Sequence, residues 1–304
     1  MRILLWHVHG AWTTAFVHGP HSYVVPVLPD RGPDGVGVAR TYAWPDTVTE
    51  LPPEALRDEP FDVALVQRPH ELELLDAWLG HRPPLVYVEH NAPQGRINEM
   101  RHPMADRDDL LLVHVTHFND LFWDAGATPT RVIEHGIPDP GERYSGELPR
   151  AAVVVNEARR RARVTGTDLL GRFRAAAPLD LFGMGALDLP HDELHDAMAR
   201  RRAYLHPIRW TSLGLSLLEA MHLGMPVVAL ATTEVVEAVP PEAGAISTRV
   251  DVLADALARL VADPDEARER GRAARAAALA RYGLDRFLEE WDQVLSGVLE
   301  GVPA

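Results

Sequence analysis

Short uninterrupted apolar runs alternate along the chain with stretches of helical periodicity. Apolar runs of this kind predict strands that are buried on both faces of a parallel sheet. In the first half they stand at RILLWHV, FDVALVQ (61–67), PLVYVEH (84–90), LLLVHVT (110–116) and TRVIEHGI (130–137). Residues 18–60 are different, because they are rich in Pro, Gly and Asp. They predict irregular structure with room for one strand.

The second half repeats the alternation after a polar segment at 139–150, which is the best candidate for a linker. Strands are predicted at AAVVVNE (151–157), LDLFGMG (179–185), AYLHPI (203–208) and MPVVAL. Helices are predicted at HDELHDAMARR (191–201), SLGLSLLEAMHLG, 250–263, 264–283 and DRFLEEWDQVLSGVL. Strands that alternate with helices predict an α/β architecture with right-handed crossovers. We therefore expect two doubly wound domains of similar size, whose ligands bind at the carboxyl ends of the strands.

Composition excludes several function classes. The chain has 304 residues, no cysteine and a formal net charge of −14. The missing cysteines exclude disulfides and thiol catalysis, and the acidic balance argues against a broad nucleic-acid surface. All 30 basic side chains other than histidine are arginines. Any cationic contact to a phosphate must therefore come from an arginine fork, and a Walker phosphate loop, which needs lysine, is excluded.

One acid, Glu219, stands inside the apolar run WTSLGLSLLEAMHLGMPVVAL (210–230). Burying a carboxylate is costly unless it has a partner. The run is expected to begin a helix with Thr211 or Ser212 as its N-cap, and the N-terminus of such a helix favours an anion. Gly214 lets a ligand approach the main chain. Glu219, one to two turns further on, is expected to accept hydrogen bonds from a ribose diol.

Two histidine pairs have spacings that occur in metal sites. His7 and His9 share one face of a strand, but no third ligand is evident. His191 and His195 lie one turn apart on a helix. The zinc-protease pattern requires Glu directly after the first histidine, where this chain has Asp192. We interpret that segment as an exposed helix N-terminus and expect no metal site and no cofactor.

The segment SLGLSLLEAMHLGMPVVAL resembles the donor-binding signature of the retaining glycosyltransferases of family 4. Upstream, VVVNEARRRARVTGTDLL is similar to the segment with which the family holds the donor diphosphate. The resemblance implies a GT-B fold, in which two Rossmann-like domains face each other across a cleft. It implies an acceptor domain over 1–143, a nucleotide-sugar domain over 144–284, and a helix over 285–304 that crosses back to the first domain.

The resemblance also implies an activity. The expected reaction is the metal-independent transfer of a hexosyl or deoxyhexosyl group, with retention, from a nucleotide-diphosphate sugar to a glycan or small-molecule hydroxyl. The expected residues are the catalytic positions His90 and Thr211, the donor contacts Arg160, Arg163, Ser212, Leu213, Gly214, Leu215 and Glu219, and the acceptor or cleft positions His9 and Gly10. The expected partners are this donor and an acceptor, with no nucleic acid and no transmembrane segment, and the expected location is cytoplasmic.

Two positions depart from the family pattern. Thr211 stands where the family has its first glutamate, which contacts hydroxyls of the transferred sugar. The family lysine falls at Thr165, where Arg163 is the nearest cation. These departures keep two alternatives open: a nucleotide-sugar epimerase of the same fold, and a catalytically degenerate protein that only binds a nucleotide sugar.

Overall fold

The computed structural model describes residues 1–301, which form two compact units. Unit 1 comprises Met1–Gly136 together with the C-terminal helix Leu284–Glu300, and unit 2 comprises Ile137–Gly283. The structure divides the two units between Gly136 and Ile137, whereas the sequence analysis expected the boundary between residues 143 and 144. Each unit is built on a parallel sheet covered by helices.

Unit 1 carries a seven-stranded sheet in the order β3-β2-β1-β4-β5-β6-β7. Its strands are β1 (Arg2–Leu5), β2 (Ser22–Pro26), β3 (Val48–Leu51), β4 (Val63–Val66), β5 (Leu85–Glu89), β6 (Leu110–His114) and β7 (Thr130–Val132). All neighbouring strands are parallel. The order reverses between β1 and β4, which is the doubly wound arrangement of a Rossmann-like sheet.

The helices of unit 1 are α1 (Gly10–Phe16), α2 (Pro53–Leu56), α3 (Glu71–Trp78), α4 (His117–Phe122) and α12 (Leu284–Glu300). The interpretation of residues 18–60 as irregular with room for one strand was wrong. They contain β2, β3 and α2, because β2 is hydrogen-bonded between β1 and β3, and these short strands stand among Pro- and Gly-rich loops that hide them in the sequence.

The C-terminal helix α12 belongs to the core of unit 1 through its aromatic side chains. The indole of Trp291 makes edge-to-face contacts with Trp12 and Phe16 of α1, with ring centroids 5.7 and 5.1 Å away. Phe287 is also fully buried and meets Trp12 at 6.2 Å. Edge-to-face aromatic pairs of this kind add to the stability that area burial alone supplies.

Unit 2 carries a five-stranded parallel sheet in the order β12-β11-β10-β8-β9. Its strands are β8 (Leu148–Val154), β9 (Leu179–Phe182), β10 (Arg201–His206), β11 (Val227–Leu230) and β12 (Gly244–Ser247). The segment 139–150, expected as a linker, ends inside β8. The order reverses between β8 and β10, so the loops after these two strands flank the topological switch point, where open α/β sheets bind ligands.

Helices cover both faces of the unit 2 sheet. They are α5 (Ala158–Arg161), α6 (Leu170–Arg174), α7 (His191–Ala199), α8 (Leu215–His222), α9 (Val235–Ala238), α10 (Val250–Ala262) and α11 (Pro264–Tyr282). Neighbouring residues of β10 point to opposite faces: Tyr204 joins the core with Met221 and Ala274, and Leu205 joins the core with Leu257. A strand buried on both faces explains why its sequence is apolar without alternation.

Across residues 1–301, the length and apolarity needed to cross a bilayer do not coincide in any helix.

Candidate functional site

The loops that flank the switch point of unit 2 contact each other directly. The main-chain N–H of Arg209, which follows β10, donates to the carbonyl of Val164, which follows β8, at 2.9 Å. Gly166 has a φ of +69°, and a Cβ there would lie 1.8 Å from the carbonyl oxygen of Pro207. Only glycine fits a left-handed position pressed against another main chain. The fold thus joins the arginine-rich segment 159–166 to the loop 207–214 that leads into α8. These two segments are the joined surface of unit 2.

The two expected donor arginines lie on this joined surface with exposed side chains. Arg160 is 71% exposed and pairs with Glu157, and Arg163 is 79% exposed and lies 3.3 Å from Asp168. A third cation, Arg209, escaped the sequence analysis. Its guanidinium donates to both carboxylate oxygens of Asp168 at 2.6 and 2.9 Å. The arginines of this surface are therefore paired with carboxylates, and an anion that binds here would compete with those carboxylates for the guanidinium groups.

The helix after this loop begins later than expected. Helix α8 starts at Leu215, and its N-cap is Gly214, so the expectation of Thr211 or Ser212 as N-cap was wrong. Ser212 and Leu213 are buried and Thr211 is half-buried in the loop that precedes the helix. The N-cap Gly214 has no side chain with which to cap the first turn, and the main-chain N–H of Leu215 lies at this helix terminus. Such a terminus favours an anion.

The structure explains the glycine at position 214 by a close contact, in addition to ligand access. A Cβ at this position would lie 2.4 Å from Cε1 of His206, the last residue of β10. The His206 imidazole is fully buried, and burial lowers its pKa to about 4, so it is neutral at pH 7. The sequence analysis missed this histidine, whose signal was its place at the end of a predicted strand.

Glu219 has protein partners in the structure. Its Oε1 lies 3.0 Å from Nε2 of His191, at hydrogen-bond distance, and its Oε2 lies 3.7 Å from Nε2 of His195. Burial by itself would raise the pKa of Glu219, but the hydrogen bond and charges of the two histidines outweigh it and lower that pKa to about 2. For His191, burial lowers the pKa, and the interaction with Glu219 reverses the shift and raises it. The pair is therefore ionic, and the attraction between its members offsets part of the cost of burying the carboxylate.

The interpretation of 191–195 as an exposed helix N-terminus was wrong for its histidines. His195 is 4% exposed and faces the protein interior, while Asp192 faces solvent and pairs with Arg143 at 2.7 Å. The four-residue spacing of His191 and His195 was the signal available in the sequence. Their common partner, Glu219, lies 24 residues after His195, so the spacing alone did not indicate it. Within residues 1–301, His191, His195 and Glu219 form the one set of three ligand atoms spaced to hold a metal ion, all within 4.8 Å of one another.

Three histidines come together in unit 1. His9 precedes α1, His90 follows β5, and the rings of the two lie 4.0 Å apart. His135 follows β7 and was missed by the sequence analysis. Burial, followed by the charges of His9 and His135, holds the pKa of His90 well below its usual range. Burial likewise lowers the pKa of His9 to about 4 and that of His135 to about 3, so all three imidazoles are neutral at pH 7.

Gly10, the first residue of α1, lies beside this histidine group. A Cβ there would approach the ring of Tyr42 to 2.9 Å. The indole of Trp12 meets the ring of His90 edge-on, with the ring centroids 4.9 Å apart. Neutral imidazoles held by aromatic packing can accept or donate hydrogen bonds to sugar hydroxyls, but they carry no charge with which to bind a phosphate.

Comparison with known proteins supports a transferase. Residues 186–277, which include α7, α8 and Glu219, match the family described as "Glycosyl transferases group 1". A search of curated proteins found no match. The family match confirms the prediction of an enzyme of the glycosyltransferase class.

Solved structures show the fold over the whole chain. Sucrose-phosphate synthase from Thermosynechococcus elongatus superposes with a TM-score of 0.72 at 14% identity, covering 99% of this chain and 100% of that one. Anabaena Alr3699/HepE in complex with UDP gives 0.67 at 15%, covering 98% and 100%. AviGT4, a glycosyltransferase involved in avilamycin A biosynthesis, gives 0.63 at 15%, covering 99% of both chains. The predicted GT-B fold is confirmed.

Proposed function

We propose that the protein is a retaining glycosyltransferase of family 4 that moves a sugar from a nucleotide-diphosphate sugar to a hydroxyl acceptor without a metal ion. In this reaction the bond from the anomeric carbon to the diphosphate breaks, a bond from that carbon to the acceptor oxygen forms, and the proton of the acceptor hydroxyl passes to the leaving diphosphate. The proposal retains the cytoplasmic location expected from the sequence.

The observation that carries the proposal is the joined surface at the switch point of unit 2. There the arginine-rich segment contacts the loop 207–214, which leads into the N-terminus of α8, through the hydrogen bond between Arg209 and Val164. Arginine forks and main-chain N–H groups at a helix terminus are complementary to a diphosphate. In the proposed reaction, Arg160, Arg163 and the N–H of Leu215 stabilise the negative charge that grows on the leaving group.

Glu219 would fix the nucleoside half of the donor. With a pKa of about 2 it is ionised at physiological pH, and an ionised carboxylate is an acceptor with two oxygens. A ribose diol supplies two donors for such a group. The hydrogen bond from His191 would hold the carboxylate in place before the nucleotide arrives, which reduces the ordering cost of binding.

The neutral histidines of unit 1 suit the sugar and acceptor side of the reaction. We propose that His90 hydrogen-bonds a hydroxyl of the transferred sugar and that His9 and Gly10 contribute to the acceptor site. UDP is bound by Alr3699/HepE, and a further structure of that protein contains UDP and glucose. A uridine donor is accordingly the first to test here.

The test is calorimetry and thermal shift on chelator-treated protein with UDP-, GDP-, ADP-, CMP- and dTDP-sugars. We expect one nucleotide class to raise the melting temperature of the wild type, and Glu219→Ala to abolish the shift. Glu193→Ala, which removes an exposed acid from α7, is the matched control and should leave the shift intact. If no nucleotide stabilises the wild type at millimolar concentration, the proposal is wrong.

Thr211 favours one specific alternative, a protein that binds a nucleotide sugar and does not turn it over, because threonine brings no carboxylate to the position of the family's first glutamate. Incubation with the bound nucleotide sugar and a panel of hydroxyl acceptors separates the two. Release of nucleoside diphosphate that depends on acceptor supports transfer, and NMR of the product's anomeric proton tests retention. Release without acceptor supports the epimerase alternative. Binding without release supports the degenerate protein, and Thr211→Glu would then be expected to improve the binding of common hexose donors.

A further inference from the structure

Helices α7 and α8 bring three metal-ligating groups to one point in unit 2. Nε2 of His191 and Nε2 of His195 both face the carboxylate of Glu219. The histidines are four residues apart, so both rings lie on one face of α7, and their centroids are 4.2 Å apart. We propose that these three residues form a binding site for a divalent transition-metal ion, with Zn²⁺ as the fitting cation.

The ligand atoms lie close enough together for side-chain movements to place them around one tetrahedral ion. Ligand atoms about 2.0–2.1 Å from zinc in tetrahedral geometry lie roughly 3.3 Å from one another. Nε2 of His191 lies 3.0 Å from Oε1 of Glu219, Nε2 of His195 lies 3.7 Å from Oε2, and one ligand atom from each of the three residues lies within 4.8 Å of the others. An ion can therefore replace the His191 to Glu219 hydrogen bond with small movements of side chains, while the helices stay in place.

The donor set selects the kind of ion. Two imidazole nitrogens and one carboxylate suit zinc and its neighbours, whereas Mg²⁺ and Ca²⁺ prefer oxygen ligands. Two histidines and one glutamate is also a known zinc set with an open fourth position. His195 and Glu219 have side chains 5% and 9% exposed, whereas that of His191 is 32% exposed. The ion therefore has an entry path on the His191 side, where a water completes the coordination.

The surrounding charges do not oppose a cation. Arg143 is the arginine whose charge acts on His191, and it is paired with both Asp192 and Asp196 at 2.7 and 3.0 Å. The same pairing separates this site from a zinc hydrolase. Asp192 occupies the sequence position of the general base, but its side chain is 78% exposed and bound to Arg143. The geometry supports metal binding without metal-assisted hydrolysis.

If the proposed function holds, the metal and the donor compete for Glu219. An ion bound to one oxygen of the carboxylate leaves only the other oxygen for the ribose diol, which in the proposed donor site uses both. Binding free energies are reciprocal, so the nucleotide must weaken the metal by the same factor by which the metal weakens the nucleotide. The site would then act as an inhibitory metal site in an enzyme that needs no metal.

The first experiment uses untagged, chelator-treated protein without nucleotide. Calorimetric titration with Zn²⁺ should show one equivalent bound, and Co²⁺ should give the intense visible bands of a tetrahedral site. His195→Ala and Glu219→Gln should each weaken Zn²⁺ at least about 100-fold, since even substitutions behind a ligand cost 10- to 100-fold. Matched controls are His81→Ala and Glu193→Gln, which remove an exposed histidine and an exposed acid outside the cluster and should change nothing.

Because His195 is buried, its variant needs a check of folding. His191→Ala is the second variant, since that side chain is partly exposed, and circular dichroism and urea unfolding report whether each variant is folded. The proposal is overturned if the wild type binds no Zn²⁺, or if folded His191→Ala and Glu219→Gln bind it as tightly as the wild type. Nucleotide titration with and without Zn²⁺ then tests competition. Metal binding without nucleotide binding would refute the proposed function and leave the metal site standing.

Discussion

Glu219 of α8 and His191 of α7 are joined by a 3.0 Å hydrogen bond across 28 residues of sequence. The bond makes an ion pair out of two groups that would each be costly to bury alone, and it sits where a nucleotide sugar and a metal ion would both bind. This pair contributes to the stability of unit 2, and it also belongs to the proposed donor site and to the proposed metal site.

A double-mutant cycle measures that pair in metal-free protein. His191→Ala should destabilise the protein by about 1.5–3 kcal/mol, the range for a hydrogen bond to a charged group, because it leaves the Glu219 carboxylate without that bond. Glu219→Gln should cost less in the His191→Ala background than in the wild type. Urea unfolding of the four proteins gives the coupling free energy. Additive costs would show that the two side chains do not interact in solution.

Gly166 should be essential to the joined surface at the switch point. Gly166→Ala introduces a Cβ at φ +69°, against the Pro207 carbonyl, and we expect a loss of about 2 kcal/mol or more. Gly171→Ala is the matched control, because it lies in α6 with open space around its Cα, and it should raise stability by roughly 1 kcal/mol. Denaturant midpoints check both values. Nucleotide affinity should fall in the first variant and stay unchanged in the second.

Arg209 should matter for the donor although the sequence pattern did not select it. Arg209→Ala removes the fork that links Asp168 to the loop before α8, and it should raise the dissociation constant for the nucleoside diphosphate about 10-fold, equivalent to 1.4 kcal/mol. Arg249→Ala removes an exposed arginine that is likewise paired with an aspartate, Asp251, and it should leave the constant unchanged. Equal effects in calorimetry would indicate general electrostatics rather than a site.

His114 should make unit 1 sensitive to acid. Burial is the largest cause that lowers its pKa to about 4, the charge of His102 lowers it further, and Asp120 and Glu89 partly oppose the shift. Its pKa in the unfolded chain is 6.5, so below pH 6.5 the unfolded state gains the proton first. The stability that neutral His114 supports is present above pH 6.5 and is lost progressively down to about pH 4.

At pH 5 this loss amounts to about 2 kcal/mol for one histidine with these two pKa values. His114→Leu removes the titrating group at a fully buried position whose ring nitrogens have no hydrogen-bond partner in residues 1–301. Urea unfolding at pH 7 and pH 5 should therefore show a smaller pH difference in the variant, by that amount. An unchanged difference would mean that His114 is not buried in its neutral form.

The sequence predicted the periodic part of the fold well, because strands buried on both faces have a local signature. The runs at β1, β4, β5, β6 and β10 were all predicted, and the strand–helix alternation was enough for the α/β class. The prediction for residues 18–60 was wrong, because β2 and β3 are only five and four residues long and stand among segments rich in Pro, Gly and Asp. Pairing of β2 with β1 and of β3 with β2 holds these strands in the sheet.

The sequence by itself determined that Glu219 needs a partner, that every phosphate-binding cation must be arginine, and that thiol chemistry is absent. Those conclusions follow from residue type and local pattern. Only the tertiary structure decided which groups meet: His191 and His195 reach Glu219 because α7 and α8 pack together, and Arg209 reaches the arginine-rich segment because β8 and β10 are neighbours at the switch point. The physical reason is that hydrogen bonds and metal ligation depend on distances of a few ångströms between atoms, and local periodicity carries no information about which distant residues the packing of helices and strands brings within that range.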